Sequence, residues 1–400
     1  MNQDRPSPPI DRRSALKALA AASLTLSGGV IGCRSSAPSA EPTPAVPPPP
    51  SEASWRVAAR AGLRRGVDWL LAARGPSGVF GSTTYGFLKG GQSLTPFVLD
   101  ALLDAPAAGV PVSSEVAGTA LRGLLDLVDG QGRLGFAGPA PDYPVYATGL
   151  ALSCLGRLRP AGWEQASAPL LGWLRTQQFT GTGGWRAHTA LGGFPMGWTE
   201  PPTPPHAGHV DLSMTRRALQ GLRAVGVEPG DKAHRLAFRF VMRCRGTDGG
   251  FVYSPVDTAL NKGGRYAQGS LSYGSATCDG VMALAAVSPG DLADSAQWPA
   301  AMKNAMGWLH QNHRVDVNPG VLGGPMEPFA AAMRGYYRAA SSRVFAAHGG
   351  PTGWREALST AALAEQHADG RWQSEVNLQK EDDPLVATAF AVRALSRSLA

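Results

Sequence analysis

The chain has 400 residues, with 37 Lys and Arg against 30 Asp and Glu, a formal net charge of +7 and four cysteines. The positive charge is scattered, with no basic stripe interleaved with aromatics and no nucleic-acid module, so nucleic acid is not an expected partner. Cys154, Cys244 and Cys278 are an odd set with apolar neighbours once Cys33 is assigned to the leader, which argues against a disulfide framework.

Asp11-Arg12-Arg13-Ser14-Ala15-Leu16-Lys17 is a twin-arginine pattern. The apolar stretch from Ala18 to Ile31 is too short and too rich in Ala, Ser and Gly to span a bilayer stably, so residues 1–33 read as an export signal. Val30-Ile31-Gly32-Cys33 closes the signal as a lipobox would. It predicts lipidation of Cys33 and a membrane anchor on the periplasmic side of the cell envelope; an unprocessed signal with an incidental Cys is the competing reading. Residues 34–52 form a Pro-rich linker whose run Pro47-Pro48-Pro49-Pro50 favours an extended spacer. No later run of eighteen apolar residues exists, so no transmembrane helix is expected.

Beyond the linker, five stretches read as copies of one helix start built around Thr95, Thr148, Thr215, Thr277 and Thr388, spaced 53, 67, 62 and 111 residues apart. A period in this range marks a helical repeat array, and the last interval holds one degenerate copy. Each threonine helix is apolar on most sides, as an inner helix should be. Other segments have one apolar face and predict outer helices: Gly66 to Leu71, Leu170 to Leu174, Phe238 to Met242 and Met306 to Leu309. The turns Gly183-Gly184-Trp185, Gly249-Gly250-Phe251 and Gly370-Arg371-Trp372 join outer to inner helices, with glycine permitting a tight backbone and the ring capping the next repeat. Residues 53–400 are thus predicted to be an all-α array of about six helical hairpins closed into a ring.

Gln366-His367-Ala368-Asp369-Gly370-Arg371-Trp372 matches the Gln-x-x-x-Gly-x-Trp signature of squalene and oxidosqualene cyclases, and Gln178 through Trp185 reads as a stretched copy. With the threonine helices, these motifs make the region resemble the terpene cyclase and protein prenyltransferase β-subunit superfamily, whose fold is an (α/α) toroid. In class II cyclases of that superfamily the middle Asp of Asp-x-Asp-Asp-Thr protonates an alkene. Counted from each threonine, that position holds Ser93, Tyr146, Ser213, Ser275 and Val386, and Glu381-Asp382-Asp383 sits too far before Thr388 to fit. The prenyltransferase zinc triad is also incomplete: Thr277-Cys278 follows Ala276, and Ala387 stands where the His would be. The Gly-Cys-Gly-Glu-Gln thioester of complement-like toroids is absent. No cofactor is implied, zinc or another metal being the one alternative.

The polar residues cluster around the third and fourth threonine helices. His206, His209 and Asp211 have spacing that could ligate a metal, or seat His209 against Asp211 as an acid and base; the structural alternative makes Asp211 a helix N-cap and leaves the histidines exposed. Asp211, His209 and Asp279 are the catalytic candidates. Arg216, Arg217, Tyr273, Ser275 and Cys278 are the ligand-binding candidates, Cys278 having a small buried hydrophobe as its competing reading. Charges on an inner ring must face the cavity or an end of the ring, where they suit a polar or anionic ligand. Asn261 to Tyr273 reads as a long, mobile loop and candidate lid, and Tyr336-Tyr337-Arg338 as a docking surface. The expected function is binding of an apolar or anionic small ligand, or of an envelope protein, by a lipid-anchored toroid. The alternative is a terpene-cyclase-like or other lipid-acting enzyme using different residues.

Overall fold

The computed structural model describes residues 52–400 except 139, 267–268 and 288–294; the twin-arginine pattern, Cys33 and all of the linker before Glu52 lie outside the described residues. Among the described residues the α-helices are, in chain order, α1 Ser54–Ala72, α2 Leu94–Leu102, α3 Ser114–Leu125, α4 Pro144–Leu158, α5 Trp163–Thr176, α6 Leu212–Ala224 and α7 Lys232–Arg243. They continue as α8 Gly274–Ala286, α9 Trp298–Asn312, the short α10 Pro328–Ala332, α11 Arg334–His348, α12 Trp354–Leu363 and α13 Pro384–Leu399. Among the described residues strand is confined to one pair, β1 Arg265–Tyr266 antiparallel to β2 Gly269–Ser270.

Helices α2, α4, α6, α8, α11 and α13 each pack on the next, and α13 packs back on α2, closing an inner ring of six. The others, apart from α10, form the outer layer: α3 lies on α2, α5 on α4, α7 on α6 and α8, α9 on α8, and α12 and α1 on α13. Sequence follows layer. In α4 nearly every residue from Pro144 to Leu155 is buried, because an inner helix is covered on one side by the outer layer and on both flanks by its neighbours. Outer α7 buries Ala233, Ala237, Phe240 and Val241 at helical spacing and leaves Lys232, Arg235 and Arg239 exposed. Asp211, Asp231 and Asp383 cap α6, α7 and α13 by accepting backbone N–H groups of Met214, Ala233 and Leu385 at 2.8 to 2.9 Å.

The repeated threonine has a specific duty. Its hydroxyl accepts the backbone N–H of the turn's ring-bearing residue: Phe80 to Thr95 at 3.0 Å, Phe194 to Thr215 at 3.1 Å, Phe251 to Thr277 at 3.1 Å and Trp372 to Thr388 at 3.0 Å. Two residues before each ring stands a glycine with positive φ, at Gly78, Gly192, Gly249 and Gly370, between +88° and +98°. At Gly192 a side chain would also strike the Leu236 carbonyl, 1.9 Å from its Cβ position. The third turn is therefore Gly192-Gly193-Phe194, not Gly183-Gly184-Trp185. Trp185 closes a separate turn onto the Thr180 carbonyl and packs on Phe179 with centroids 4.4 Å apart.

The glutamine signature closes the ring. Gln366 Nε2 donates to the turn carbonyl of Gly370 and to Gly62 of α1, both at 2.9 Å, joining the last repeat to the first helix. Gln178 does the same between Gly192, at 3.1 Å, and Ala233 at the start of α7, at 2.8 Å, so the stretched copy runs from Gln178 to Phe194. In the degenerate copy Tyr337 and Arg338 take over, Tyr337 bonding His313 Nδ1 at 2.9 Å and Arg338 donating to the Val315 carbonyl at 2.6 Å. Both are buried, so this segment is not a docking surface.

The second copy lacks the ring, with Leu134 in its place, and the buried Thr148 hydroxyl has no hydrogen-bond partner. Thr277→Val should orphan the buried Phe251 N–H and cost about 1–3 kcal/mol, whereas Thr148→Val should be nearly neutral. Equal losses of melting temperature in the two variants would refute this role for the hydroxyl.

Candidate functional site

A cavity of about 430 Å³ opens among the first turns of the inner helices. The threonine bonds set where four of the inner helices begin, and the residue two before each of those threonines, Ser93, Ser213, Ser275 or Val386, faces this space; Tyr146, two before the unbonded Thr148, lines it as well. Aromatic and apolar walls come from Phe97, Phe390, Tyr253, Tyr273, Met214 and Met333. Phe97 and Phe390 meet edge to face at 5.0 Å and Tyr336 tilts against Phe390 at 5.4 Å, forming the floor.

Serine and tyrosine hydroxyls share the wall, and the charged groups are few. Lys262, 7% exposed, donates to the Leu260 carbonyl at 3.0 Å and stands over the rings of Tyr253 and Phe329 at 4.9 and 5.3 Å; burial lowers its pKa. Lys380 has φ +63°, a backbone costly for a side-chain-bearing residue, and it brings the ammonium over Tyr143, Phe87 and Tyr85 at 5.5, 5.8 and 5.9 Å. Glu381 is buried, and its two oxygens accept N–H groups of Gly335 and Tyr336, each at 2.8 Å, at the start of α11. Burial raises its pKa to about 7, against the opposing pull of those donors.

Glu381 was passed over in the sequence because it lies seven residues before Thr388, and the chain between bends it back into the cavity wall. The acidic triplet Glu381-Asp382-Asp383 was the available signal. Its members separate in space: Asp382 accepts the Tyr85 hydroxyl at 2.7 Å, and Asp383 caps α13.

The candidates from sequence divide. His209 lines the cavity with Nε2 bonded to the Tyr253 hydroxyl and 3.3 Å from Asp211 Oδ2; Asp211 raises the His209 pKa. The Asp211 carboxyl sits below its ordinary range, because its bonds to His209 and the Met214 N–H outweigh burial. Its Oδ1 caps α6 by accepting the Met214 N–H. His206 is exposed and apart, and among the described residues no three His, Cys, Asp or Glu converge as a metal site, so the metal reading of His206, His209 and Asp211 does not hold geometrically. Asp279 faces the cavity floor but is tied to Arg216 at 2.8 Å and to the Tyr336 hydroxyl. Tyr273 and Ser275 line the cavity as expected. Cys278 does not: it is fully buried in the core on the outer side of α8, and burial raises its thiol pKa. Arg216 and Arg217 lie beneath the floor, lining a small void. Of the expected lid, Asn261 to Gly264 are buried, with Asn261 Nδ2 bonded to the Gly264 and Leu271 carbonyls at 2.9 and 3.1 Å, so this part is packed in place.

Because the Glu381 pKa is raised from 4.5 to about 7, the folded protein retains a proton that the unfolded chain releases. The stability it contributes is complete below the unfolded value and is lost as pH rises through the folded one. Between about pH 5 and about pH 8 the melting temperature of wild type should therefore fall relative to that of Glu381→Gln. Parallel curves would show that Glu381 is ionised throughout.

No protein-family model matches the chain, and no curated protein matches it in sequence. Solved structures do. A variant of the type II terpene cyclase MstE from Scytonema, in complex with geranylgeranyl dihydroxybenzoate, is similar over 86% of this chain and 98% of its own, at 14% identity and a TM-score of 0.56. A protein from Actinoplanes is similar at 16% identity and TM-score 0.53, over 86% of this chain and 100% of its own. An inactive α-1,6-mannanase variant from Salegentibacter, in complex with α-1,6-mannotriose, is similar at 10% identity and TM-score 0.53, over 86% and 99%. At such identities the likeness establishes architecture alone: the chain is an (α/α) toroid, a fold shared by a terpene cyclase and a mannanase.

Proposed function

We propose that the toroid binds an elongated apolar ligand with a polar or anionic end, of the isoprenoid or lipid kind, in the cavity at the N-terminal ends of the inner helices. The carrying observation is the cavity wall, where aromatic, Leu and Met side chains supply most of the surface around a volume of about 430 Å³ and charged groups are restricted to a few positions. That volume lies within the roughly 300–1,000 Å³ of small-molecule sites. Lys262 and Lys380, with the positive ends of the inner helix dipoles, favour an anionic or strongly polar head. The ligand of the terpene cyclase neighbour, a geranylgeranyl group on a dihydroxybenzoate, has the same division into apolar chain and polar end.

A second reading rests on Glu381, which holds its proton near neutral pH beside aromatic walls able to stabilise a cation. It supplies an acid in a ring whose threonine-counted positions have none, and it suits an enzyme acting on an isoprenoid or other lipid.

Full-length protein incubated with squalene and polyprenyl substrates should retain one of them through gel filtration, as read by mass spectrometry of the extract. Val386→Trp should reduce retention by about tenfold or more (~1.4 kcal/mol) by filling the cavity. Retention of nothing, or equal retention by the variant, removes the proposal; cyclised product made by wild type and not by Glu381→Gln would establish the enzymatic reading.

The setting we propose is the cell envelope, reached through the twin-arginine signal and held by a lipid on Cys33. Cys33→Ser should shift the protein from the membrane to the soluble fraction, and a variant that stays membrane-bound would refute the anchor.

A further inference from the structure

The opposite end of the ring is built differently. A chamber of about 540 Å³ opens among the last turns of the inner helices, with Arg157, Arg216, Arg343 and Arg397 in its wall, and it reaches the surface beside the exposed Arg223 and His348. Six helix C-termini converge toward this end, and their partial negative charge accounts for arginines in last turns, namely Arg157, Arg223 and Arg397. The effect fades within one turn, so it does not account for those farther in.

Four arginines lie deeper along their helices, and two of these are neutralised. Arg216 pairs with Asp279 at 2.8 Å and Arg393 with Asp100 at 3.1 Å. The remaining carboxylate, Asp104, is held by Arg157 and Arg397 at 2.8 and 3.0 Å. Arg217, 3% exposed, has no carboxylate: it donates to Gln220 at 3.2 Å, lies over the Tyr146 ring at 4.9 Å, and its Nε has no partner. Arg343 makes no hydrogen bond or ion pair among the described residues. It keeps partial accessibility deep in the ring because it faces the chamber. Burial and the charge of Arg397 lower its pKa to about 9, so it remains a cation at neutral pH under repulsion from its neighbours.

We infer that this chamber is a second ligand site, separate from the apolar cavity, which takes a phosphate or diphosphate group against Arg343, among Arg157, Arg216 and Arg397 of the same wall. An unpaired cation inside the ring is costly, and a guanidinium with no ion-pair partner, in a wall that holds three further arginines, matches an anion that accepts forked hydrogen bonds. The floor of Asp279, Arg216, Tyr336 and Phe390 separates the two sites. Free phosphates and lipid headgroups share this chemistry.

Titration calorimetry of full-length protein with sodium pyrophosphate, at constant ionic strength, tests the site. Pyrophosphate should bind, Arg343→Met should weaken it by about tenfold or more, and Arg343→Lys should fall between. Without anion, Arg343→Met should melt at or above the wild-type temperature, since it removes an uncompensated charge. Val386→Trp should leave pyrophosphate binding unchanged, which separates this site from the apolar cavity. Phosphatidylcholine vesicles with and without phosphatidate form the second arm: Arg343-dependent binding to the doped vesicles alone supports the site with a lipid headgroup as its source. Binding unaffected by Arg343→Met in both arms, no binding in either, or a lowered melting temperature of the variant without anion would overturn the inference.

Discussion

The buried bond from a turn N–H to a threonine hydroxyl sets the geometry on which both ends of this ring depend. The hydroxyl serves two sides at once, as at Thr277, which accepts from Phe251 and donates to the Tyr273 carbonyl at 3.0 Å in its own helix. The incoming chain and the first turn of the inner helix are thereby locked in one register. Once that turn is placed, helical geometry aims the residue two positions earlier at the ring axis. This is why Ser93, Ser213, Ser275 and Val386 share one wall. The same register turns Cys278, one residue after its threonine, into the outer core.

Because the inner helices run in parallel, the ring is polar along its axis. Their N-terminal ends surround an apolar cavity in which single charges are spaced apart and laid against aromatic faces. Their C-terminal ends surround arginines that exceed their carboxylate partners. A thin floor in which Arg216, Asp279 and Tyr336 satisfy one another divides the two. An ion pair in such a place is poor evidence of stability by itself, but it seals a ring whose axis would otherwise be open. Asp100 shows the strength of the arginine field, since Arg393, Arg157 and Arg217 hold its carboxyl well below the usual range despite burial.

The family motifs stand out here as structural parts. Gln366 and Gln178 bridge a turn to the next outer helix, and ring closure makes α1 the neighbour of the last repeat. They hold this ring together and take no part in the cavity wall. The architecture itself is shared with a terpene cyclase and a mannanase.

The sequence alone determined the repeat, the layers and the ring, because Thr, Gly and ring-bearing residues recur for local reasons of hydrogen bonding, positive φ and packing. It also determined that the threonine-counted positions hold no acid. Only tertiary structure decided which residues meet. Glu381 enters the cavity through a bend that no spacing rule describes, and its proton is held by burial supplied by other repeats. Gly192-Gly193-Phe194 replaced Gly183-Gly184-Trp185 as the third turn because both satisfy the local pattern, and only one reaches Thr215. Arg343 and Arg217 became unpaired cations through the positions of carboxylates on distant helices, and charge balance across a ring is a property of the closed assembly that no single stretch of chain contains.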